Sequence, residues 1–258
     1  MKWLSSALQA IVFTVALGLQ SAAAEEKKPE KLIPGDFSAN VAVTSNYIFR
    51  GISQTDNIPA VQGGFDYDVG LFEKIKAYAG IWASNVNFSD GDQAQVELDV
   101  YFGLKGSIDK FSWSVGGLYY AYPGAARRLN YNFWEITGSA GYDFGFAELT
   151  VGVNYSPDYF ASSGDAFYLQ GTLKVPIPIE EAKPYAPYFA FHIGRQWIER
   201  NAAFGAPDYT DWSVALGGTV LGFGLEVKYT DTSLSRGKCF GGTSYCGAKA
   251  VFTVSRSF

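Results

Sequence analysis

Charged side chains at alternate positions of apolar stretches are the feature of this sequence that points most directly to chemistry. In the stretch 93–106, Glu97 and Asp99 alternate with Val96, Leu98 and Val100. An Arg or Lys that faces lipid at the middle of a membrane costs about 2–4 kcal/mol, so such charges should face a wet interior or lie near a rim. The candidates for a pore lining are Arg50, Asp66, Asp68, Lys76, Glu97, Asp99, Lys105, Glu135, Lys174, Glu226 and Lys228.

Two arrangements of these charges are compatible with the sequence. They form a selectivity ring around an open pore, or they form a network of ion pairs that plugs a narrow barrel. The i, i+2 spacing of Asp66 with Asp68, and of Glu97 with Asp99, puts each pair on one side of its strand. Four carboxylates in one region predict a weak preference for cations, which Arg50, Lys76 and Lys105 would cancel if they lie at the same height. Arg50 is followed by a Gly and predicts a site for an anionic group, an inward-folded constriction or a simple turn in which the Arg caps carbonyls.

Other reactive side chains are few. His192 is the single histidine, and no Ser or Asp signature lies beside it, so we predict no catalytic residue and no enzyme activity. A barrel enzyme that uses His192 remains an alternative. Cys239 and Cys246 are close in sequence and predict a local disulfide in an oxidising compartment. Neither a metal site nor a cofactor is predicted.

Alternation of apolar and polar residues recurs along most of the chain and predicts β-strands. In the first strand, Phe37, Val41, Val43, Tyr47 and Phe49 fall on one face. The pattern gives twelve strands, and a single-chain bacterial barrel requires an even number. The fold class predicted is all-β, a single antiparallel transmembrane β-barrel of about 12 strands (range 10–14). The predicted strands are 36–50, 59–70, 74–88, 93–106, 110–122, 129–143, 146–156, 166–176, 185–198, 209–220, 223–231 and 246–258.

The start of the chain has the pattern of an export signal. Lys2 precedes an apolar run, and Ala22 and Ala24 form the small-residue pattern of signal peptidase cleavage. We therefore predict a signal peptide over residues 1–24, a flexible periplasmic lead-in over 25–35 and a transmembrane β-barrel over 36–258. The formal net charge of −5 argues against nucleic acid as a partner.

The connections between strands alternate between long polar loops and tight turns, which is typical of outer-membrane barrels with short periplasmic turns and longer outer loops. Aromatic residues gather near the predicted strand ends, where Tyr and Trp favour the membrane interface. Phe258, at the end of the last predicted strand, resembles the signal read by the barrel-assembly machinery of Gram-negative bacteria. Expected partners are therefore outer-membrane lipid and lipopolysaccharide, the assembly machinery and small solutes.

Several blocks of sequence resemble the TorF-type porin family. They are residues 46–54 (NYIFRGISQ), 59–67 (PAVQGGFDY), 80–86 (GIWASNV), 97–99 (ELD), 120–124 (YAYPG) and 209–213 (YTDWS). The resemblance covers roughly residues 36–258 and implies an outer-membrane channel, but it implies no substrate and no catalytic residue. The sequence thus predicts a porin that allows passive diffusion of small solutes or ions. A barrel enzyme or a non-conducting structural or adhesive barrel is the alternative, and the oligomeric state stays open.

Overall fold

The computed structural model describes residues 33–89, 91 and 94–258. The predicted signal peptide and most of the predicted lead-in lie outside these residues. The strands are β1 (Asp36–Thr44), β2 (Ile48–Phe49), β3 (Ile52–Ser53), β4 (Ala60–Phe72), β5 (Ile75–Asn85), β6 (Val96–Ile108), β7 (Phe111–Ala121), β8 (Phe133–Asp143), β9 (Glu148–Ser156), β10 (Ala166–Pro176), β11 (Tyr188–Ile198), β12 (Tyr209–Val220), β13 (Phe223–Thr232) and β14 (Lys249–Ser257).

Twelve of the described strands close into one antiparallel barrel. Each of β4 to β14 pairs with its neighbour in sequence, and β1 pairs with both β4 and β14, which closes the sheet. The predicted fold class and strand count are therefore confirmed. The strands β2 and β3 form a separate short hairpin. The α-helix α1 spans only Asn201–Phe204, and no helix in the described part of the chain is long and apolar enough to cross a membrane.

Each barrel strand has one apolar outer face and one polar inner face. In β6, Val100 is 44% exposed and Phe102 is 64% exposed on the outer surface, whereas Glu97 and Asp99 on the opposite face are buried. The same alternation continues around the barrel, because successive side chains of a strand point to opposite sides of the sheet. The outer surface is thus a continuous apolar band, as contact with lipid requires.

The two ends of the barrel differ in their connections. The loop end carries residues 45–59, 86–95, 122–132, 157–165, 199–208 and 233–248, and the turn end carries residues 73–74, 109–110, 144–147, 177–187 and 221–222. The loop 86–95 is longer than predicted, and 177–187 is the long exception at the turn end. There a 3-10 helix, Glu180–Tyr185, replaces a tight turn. At the same end, the Phe258 N–H donates to the Ala39 carbonyl at 2.9 Å.

The predicted first strand, 36–50, is wrong beyond Thr44. The chain leaves the sheet after this residue, and the backbone at Arg50 and Gly51 adopts positive φ angles of 47° and 78°. This reversal lets β2 and β3 pair with each other and turns residues 45–59 into the barrel. Tyr47 and Phe49, which the alternation assigns to the outer face, therefore lie inside.

The aromatic residues near the loop end also divide into two groups. Tyr119, Trp134 and Trp212 are 39–45% exposed on the outer face, as expected for residues at a membrane interface. Aromatic residues on the inward side pack instead into one cluster at the loop end, where they are fully or partly buried. This aromatic cap comprises Phe88, Tyr122, Tyr131, Phe133, Tyr159, Phe160, Phe204, Phe240 and Tyr245.

Cys239 and Cys246 form the predicted disulfide, and their Cα atoms are 6.0 Å apart. The loop that it closes contacts the inserted residues 45–59. The Ser53 N–H donates to the Tyr245 carbonyl at 3.0 Å, and Asn57 Nδ2 donates to Ser244 Oγ at 3.1 Å. The disulfide therefore restrains a loop that hydrogen-bonds directly to residues 45–59.

We expect the double variant Cys239→Ser, Cys246→Ser to stay folded but to loosen this loop. Removing the crosslink over so short a loop costs about 2–3 kcal/mol in the chain-entropy model. Amide hydrogen exchange should accelerate at Ser53, whose N–H is bonded to Tyr245 of the loop. The amide of Thr243, which donates to the Cys239 carbonyl within the loop, reports loosening of the loop itself. Unchanged exchange at Ser53 beside faster exchange at Thr243 would show that the loop does not stabilise residues 45–59.

Candidate functional site

Residues 45–59, here called the inserted segment, enter the barrel from the loop end. Asn46 fixes the fold of this segment: its Oδ1 accepts from Ser53 Oγ at 2.7 Å and from Thr55 Oγ1 at 3.1 Å. The Gln54 N–H closes the hairpin by donating to the Tyr47 carbonyl at 2.8 Å. Asn, Ser and Thr side chains commonly replace backbone partners in this way. The segment is thus a compact hairpin.

Arg50 joins the tip of the inserted segment to the far wall of the barrel. Its Nη2 lies 2.7 Å from Glu135 Oε2 on β8, and its Nη1 donates to Gln196 Oε1 on β11 at 2.8 Å. The guanidinium also lies over the Tyr168 ring, 4.4 Å from its centroid. Burial lowers the pKa of Arg50, but the neighbouring Glu135 carboxylate raises it by more. The pKa therefore lies above its usual value, and the guanidinium stays charged.

Glu135 is held by partners on its own wall as well. Tyr120 OH and Asn154 Nδ2 each donate to Glu135 Oε2 at 3.1 Å. Both ions of the Arg50–Glu135 pair are almost completely buried, with side-chain exposures of 4% and 1%. A buried pair needs such additional hydrogen bonds to offset its desolvation. The pair is therefore a specific latch between the inserted segment and the wall.

Two carboxylates on β6 lie on the inner wall beside the inserted segment. Tyr47 OH donates to Glu97 Oε1 at 2.6 Å, and the Tyr47 ring packs edge-on against Trp82. Asp99 is 2% exposed, and its Oδ1 has no hydrogen-bond partner. Among the described residues, no Lys, Arg or His nitrogen lies within 4 Å of either carboxylate. These are the uncompensated acids of the inner wall.

Closer to the turn end, most of the predicted charges have partners. Lys105 Nζ lies 2.6 Å from Asp68 Oδ2, and Tyr101 OH donates to Asp66 Oδ1 at 2.6 Å. Tyr188 contacts two further candidates. Its OH donates to Glu226 Oε2 at 2.9 Å, and the centroid of its ring lies 4.0 Å from Lys174 Nζ.

The four carboxylates considered for cation preference are therefore not equivalent. Lys105 neutralises Asp68, whereas Glu97 and Asp99 keep no cation partner in the described structure. Two lysines complete the inner face. Lys76 shares the strand face of buried Tyr78 and Trp82 but is exposed near the turn end, and Lys228 lines the interior opposite β6.

His192 lies in a polar cluster on the inner wall that local sequence does not reveal. Its Nε2 is 3.2 Å from Asp211 Oδ1 and 3.1 Å from Tyr168 OH, and its Nδ1 is 3.0 Å from Thr172 Oγ1. All these partners are on neighbouring strands. Asp211, and likewise Gln196 and Asn154 of the Arg50–Glu135 network, are polar residues that no local motif singles out. Each lies at an inward-facing position of its strand, and this alternation is the sequence signal that could identify them.

The chain was compared with known families and structures. The model of the family Gcw_chp, bacterial proteins of unknown function, matches residues 28–258. No curated protein matches the sequence. Among solved structures, an outer membrane channel from Pseudomonas putida F1 is similar with a TM-score of 0.51 at 12% identity, over 92% of this chain and 100% of that one. The NanC porin is similar with a TM-score of 0.50 at 10% identity, over 85% and 98% of the two chains.

These likenesses show the fold that the chain shares with outer-membrane channels. They do not extend to a function, because the identities are low. The TorF-type resemblance stays a prediction. The family match covers nearly the whole described barrel, and this chain belongs to the Gcw_chp family of bacterial proteins of unknown function.

Proposed function

We propose that the protein is an outer-membrane channel for passive diffusion of small solutes, and that the inserted segment forms its constriction. The observation that carries the proposal is the Arg50 latch, in which a loop crosses a polar, charged interior and bonds to the opposite wall. A polar interior with an apolar exterior is the pattern of barrels that conduct water-soluble molecules. The alternation of long loops and short turns supports an orientation with the loop end outside the cell.

The constriction limits what such a channel passes. The inserted segment narrows the lumen, and the aromatic cap packs above it. The segment meets the strands next to its origin and the far wall through a few polar contacts, and hydrogen bonds to charged groups contribute about 1.5–3 kcal/mol each. The segment therefore stays in place unless these contacts are broken, and we expect a low conductance suited to small solutes.

The main alternative from another class is a hydrolase that uses His192. Thr172, His192 and Asp211 do form a chain of hydroxyl, imidazole and carboxylate. However, Thr172 and Ser213 lie in the middle of paired strands, where backbone N–H groups are used in the sheet. An oxyanion hole needs free donors next to the nucleophile. The geometry therefore favours transport over acyl transfer.

Planar-bilayer recordings of the purified barrel test the proposal. We expect discrete single-channel currents in KCl and, in a salt gradient, a reversal potential that shows a weak cation preference, because Glu97 and Asp99 are uncompensated while Asp68 is paired. Glu97→Gln should shift the reversal potential towards anions, and Asp68→Asn should shift it less. A folded barrel that produces no current would contradict the proposal and favour a structural or adhesive role.

A further inference from the structure

A cavity of about 90 Å³ lies between the inserted segment and the inner wall. Its walls come from the inserted segment and from the neighbouring strands on both sides of the β1–β14 closure, from β13 round to β7. The lining residues that matter here are Asn40, Tyr47, Trp82, Asp99, Tyr120 and Lys228. The Arg50 latch and the His192 cluster do not contribute to it.

Two polar atoms of the lining residues lack partners. Asp99 Oδ1 and Asn40 Nδ2 are both buried, and neither makes a hydrogen bond in the described structure. Leaving a buried polar atom unpaired costs about 1–3 kcal/mol. Native proteins rarely keep such atoms without a bound water, ion or ligand. Asp99, which lines the cavity and is 2% exposed, thus carries an unused hydrogen-bond acceptor.

The opposite side of the cavity carries a positive charge. Lys228 on β13 lines it, and within the described residues no carboxylate oxygen lies within 4 Å of the Lys228 ammonium. The other cation of this region, Arg50, is already paired with Glu135. The cavity therefore presents an unpaired anion on one wall and an unpaired cation on another.

Aromatic rings complete the wall on the acidic side. Tyr47 and Trp82 pack against each other, and Tyr120 lies on β7 beside β6. Aromatic faces attract ammonium groups and also cover methylene groups. Rings beside an unpaired carboxylate suit an organic ammonium better than a hydrated metal ion, which prefers several oxygen ligands.

We propose that this cavity is a binding site for small zwitterionic solutes of the amino-acid class. The solute's ammonium group binds Asp99 beside Trp82 and Tyr120, and its carboxylate faces Lys228. The inference rests on the proposed channel function, because it names the solute class that the constriction would admit. A solute with only one charge leaves either Asp99 or Lys228 unpaired and should bind more weakly.

Calorimetric titration of the detergent-solubilised barrel tests the site without requiring conduction. The probes are glycine, β-alanine and γ-aminobutyrate, compared with n-butylammonium and butyrate. We expect at least one amino acid of the series to bind about tenfold more tightly than either singly charged probe, because charge-assisted hydrogen bonds form at both ends. The chain length that binds best reports the separation of the two charges. If no amino acid in the series binds, or if butylammonium or butyrate binds as tightly, the proposal is overturned.

Two variants assign the binding to these side chains. Asp99→Asn and Lys228→Gln should each weaken binding of the preferred amino acid about tenfold, a loss of about 1.4 kcal/mol. Matched controls with the same changes of charge are Asp109→Asn and Lys110→Gln, both in the turn 109–110, and they should bind like the unaltered protein. Heat-modifiable migration checks that each variant is folded. Equal binding by Asp99→Asn and Asp109→Asn would overturn the proposal, and the comparison of probes on the unaltered protein stands independently of any variant.

A liposome-swelling assay separates the site from the channel. Swelling in neutral glycerol shows whether the barrel passes a small solute at all. Swelling in the preferred amino acid shows whether the barrel passes that solute selectively. If the barrel binds the amino acid but passes no solute, the proposed channel function fails and the site stands. If glycerol passes but calorimetry detects no amino-acid binding, the channel stands and the site fails.

Discussion

We expect Arg50→Ala to release the inserted segment from the far wall, with a larger single-channel conductance and a less stable barrel. The substitution leaves the buried Glu135 carboxylate without its cation, and removing one partner of a buried ion pair typically costs about 3–5 kcal/mol. The segment also loses its bond to Gln196. Chemical unfolding of the refolded barrel measures the loss of stability, and planar-bilayer recordings measure the conductance.

The double variant Arg50→Ala, Glu135→Ala separates the latch from its desolvation cost. Without the carboxylate there is no unpaired buried charge, so stability should recover in part while the conductance stays high. Arg195→Ala is the matched control, because this arginine lies on the opposite strand face from Gln196 and contacts Thr210 and the Trp197 ring. If Arg195→Ala raises the conductance as much as Arg50→Ala, the latch is not the constriction.

The barrel is largely predictable from sequence because its determinants are local. Alternation sets the face of each side chain, and turn residues separate the strands, so 166–176 and 209–220 coincide with β10 and β12. The inner face of Glu97, Asp99 and Lys105 follows from the same period of two.

The inserted segment is not predictable in this way, because its determinants are distant. Residues 45–50 continue the alternation of β1, and nothing local tells an extended strand from a hairpin turned inward. The hairpin is stabilised by the contacts of Arg50 with Glu135 and Gln196, which are 85 and 146 residues away in sequence. For the same reason, Tyr47 and Phe49 are typical of a membrane rim in sequence but lie in the interior.

The pairing of side chains on the inner wall is likewise only partly predictable from sequence. Residue type and parity identify Asp68 and Lys105 as inner-wall charges, but only the register of β4, β5 and β6 brings them to 2.6 Å. The partners of His192 likewise depend on how β10, β11 and β12 align. Sequence therefore gives the composition of the inner wall, and the register decides which charges are neutralised and which, like Asp99, remain available.

Gly51 next to the latch provides a second and independent way to displace the inserted segment. We expect Gly51→Ala to destabilise the barrel by about 2–5 kcal/mol and to increase its conductance. The residue has a φ of 78°, which costs an L-residue about 1–2 kcal/mol. A Cβ at this position would also lie 2.6 Å from the Cβ of Asp211 and from Cγ2 of Thr232, and such overlap adds about 1–3 kcal/mol.

Gly124→Ala is the matched control for this variant. Gly124 has a comparable φ of 91°, but a Cβ there would meet no atom within 4 Å. Gly124→Ala should therefore lower the stability of the barrel only by the cost of the backbone strain, and it should leave the conductance unchanged. Unfolding and bilayer recordings of the two variants side by side isolate the steric contact with β12 and β13. Since both carry the same backbone strain, a higher conductance in Gly51→Ala alone would come from displacement of the segment, and equal behaviour of the two would show that its close approach to the wall does not limit the current.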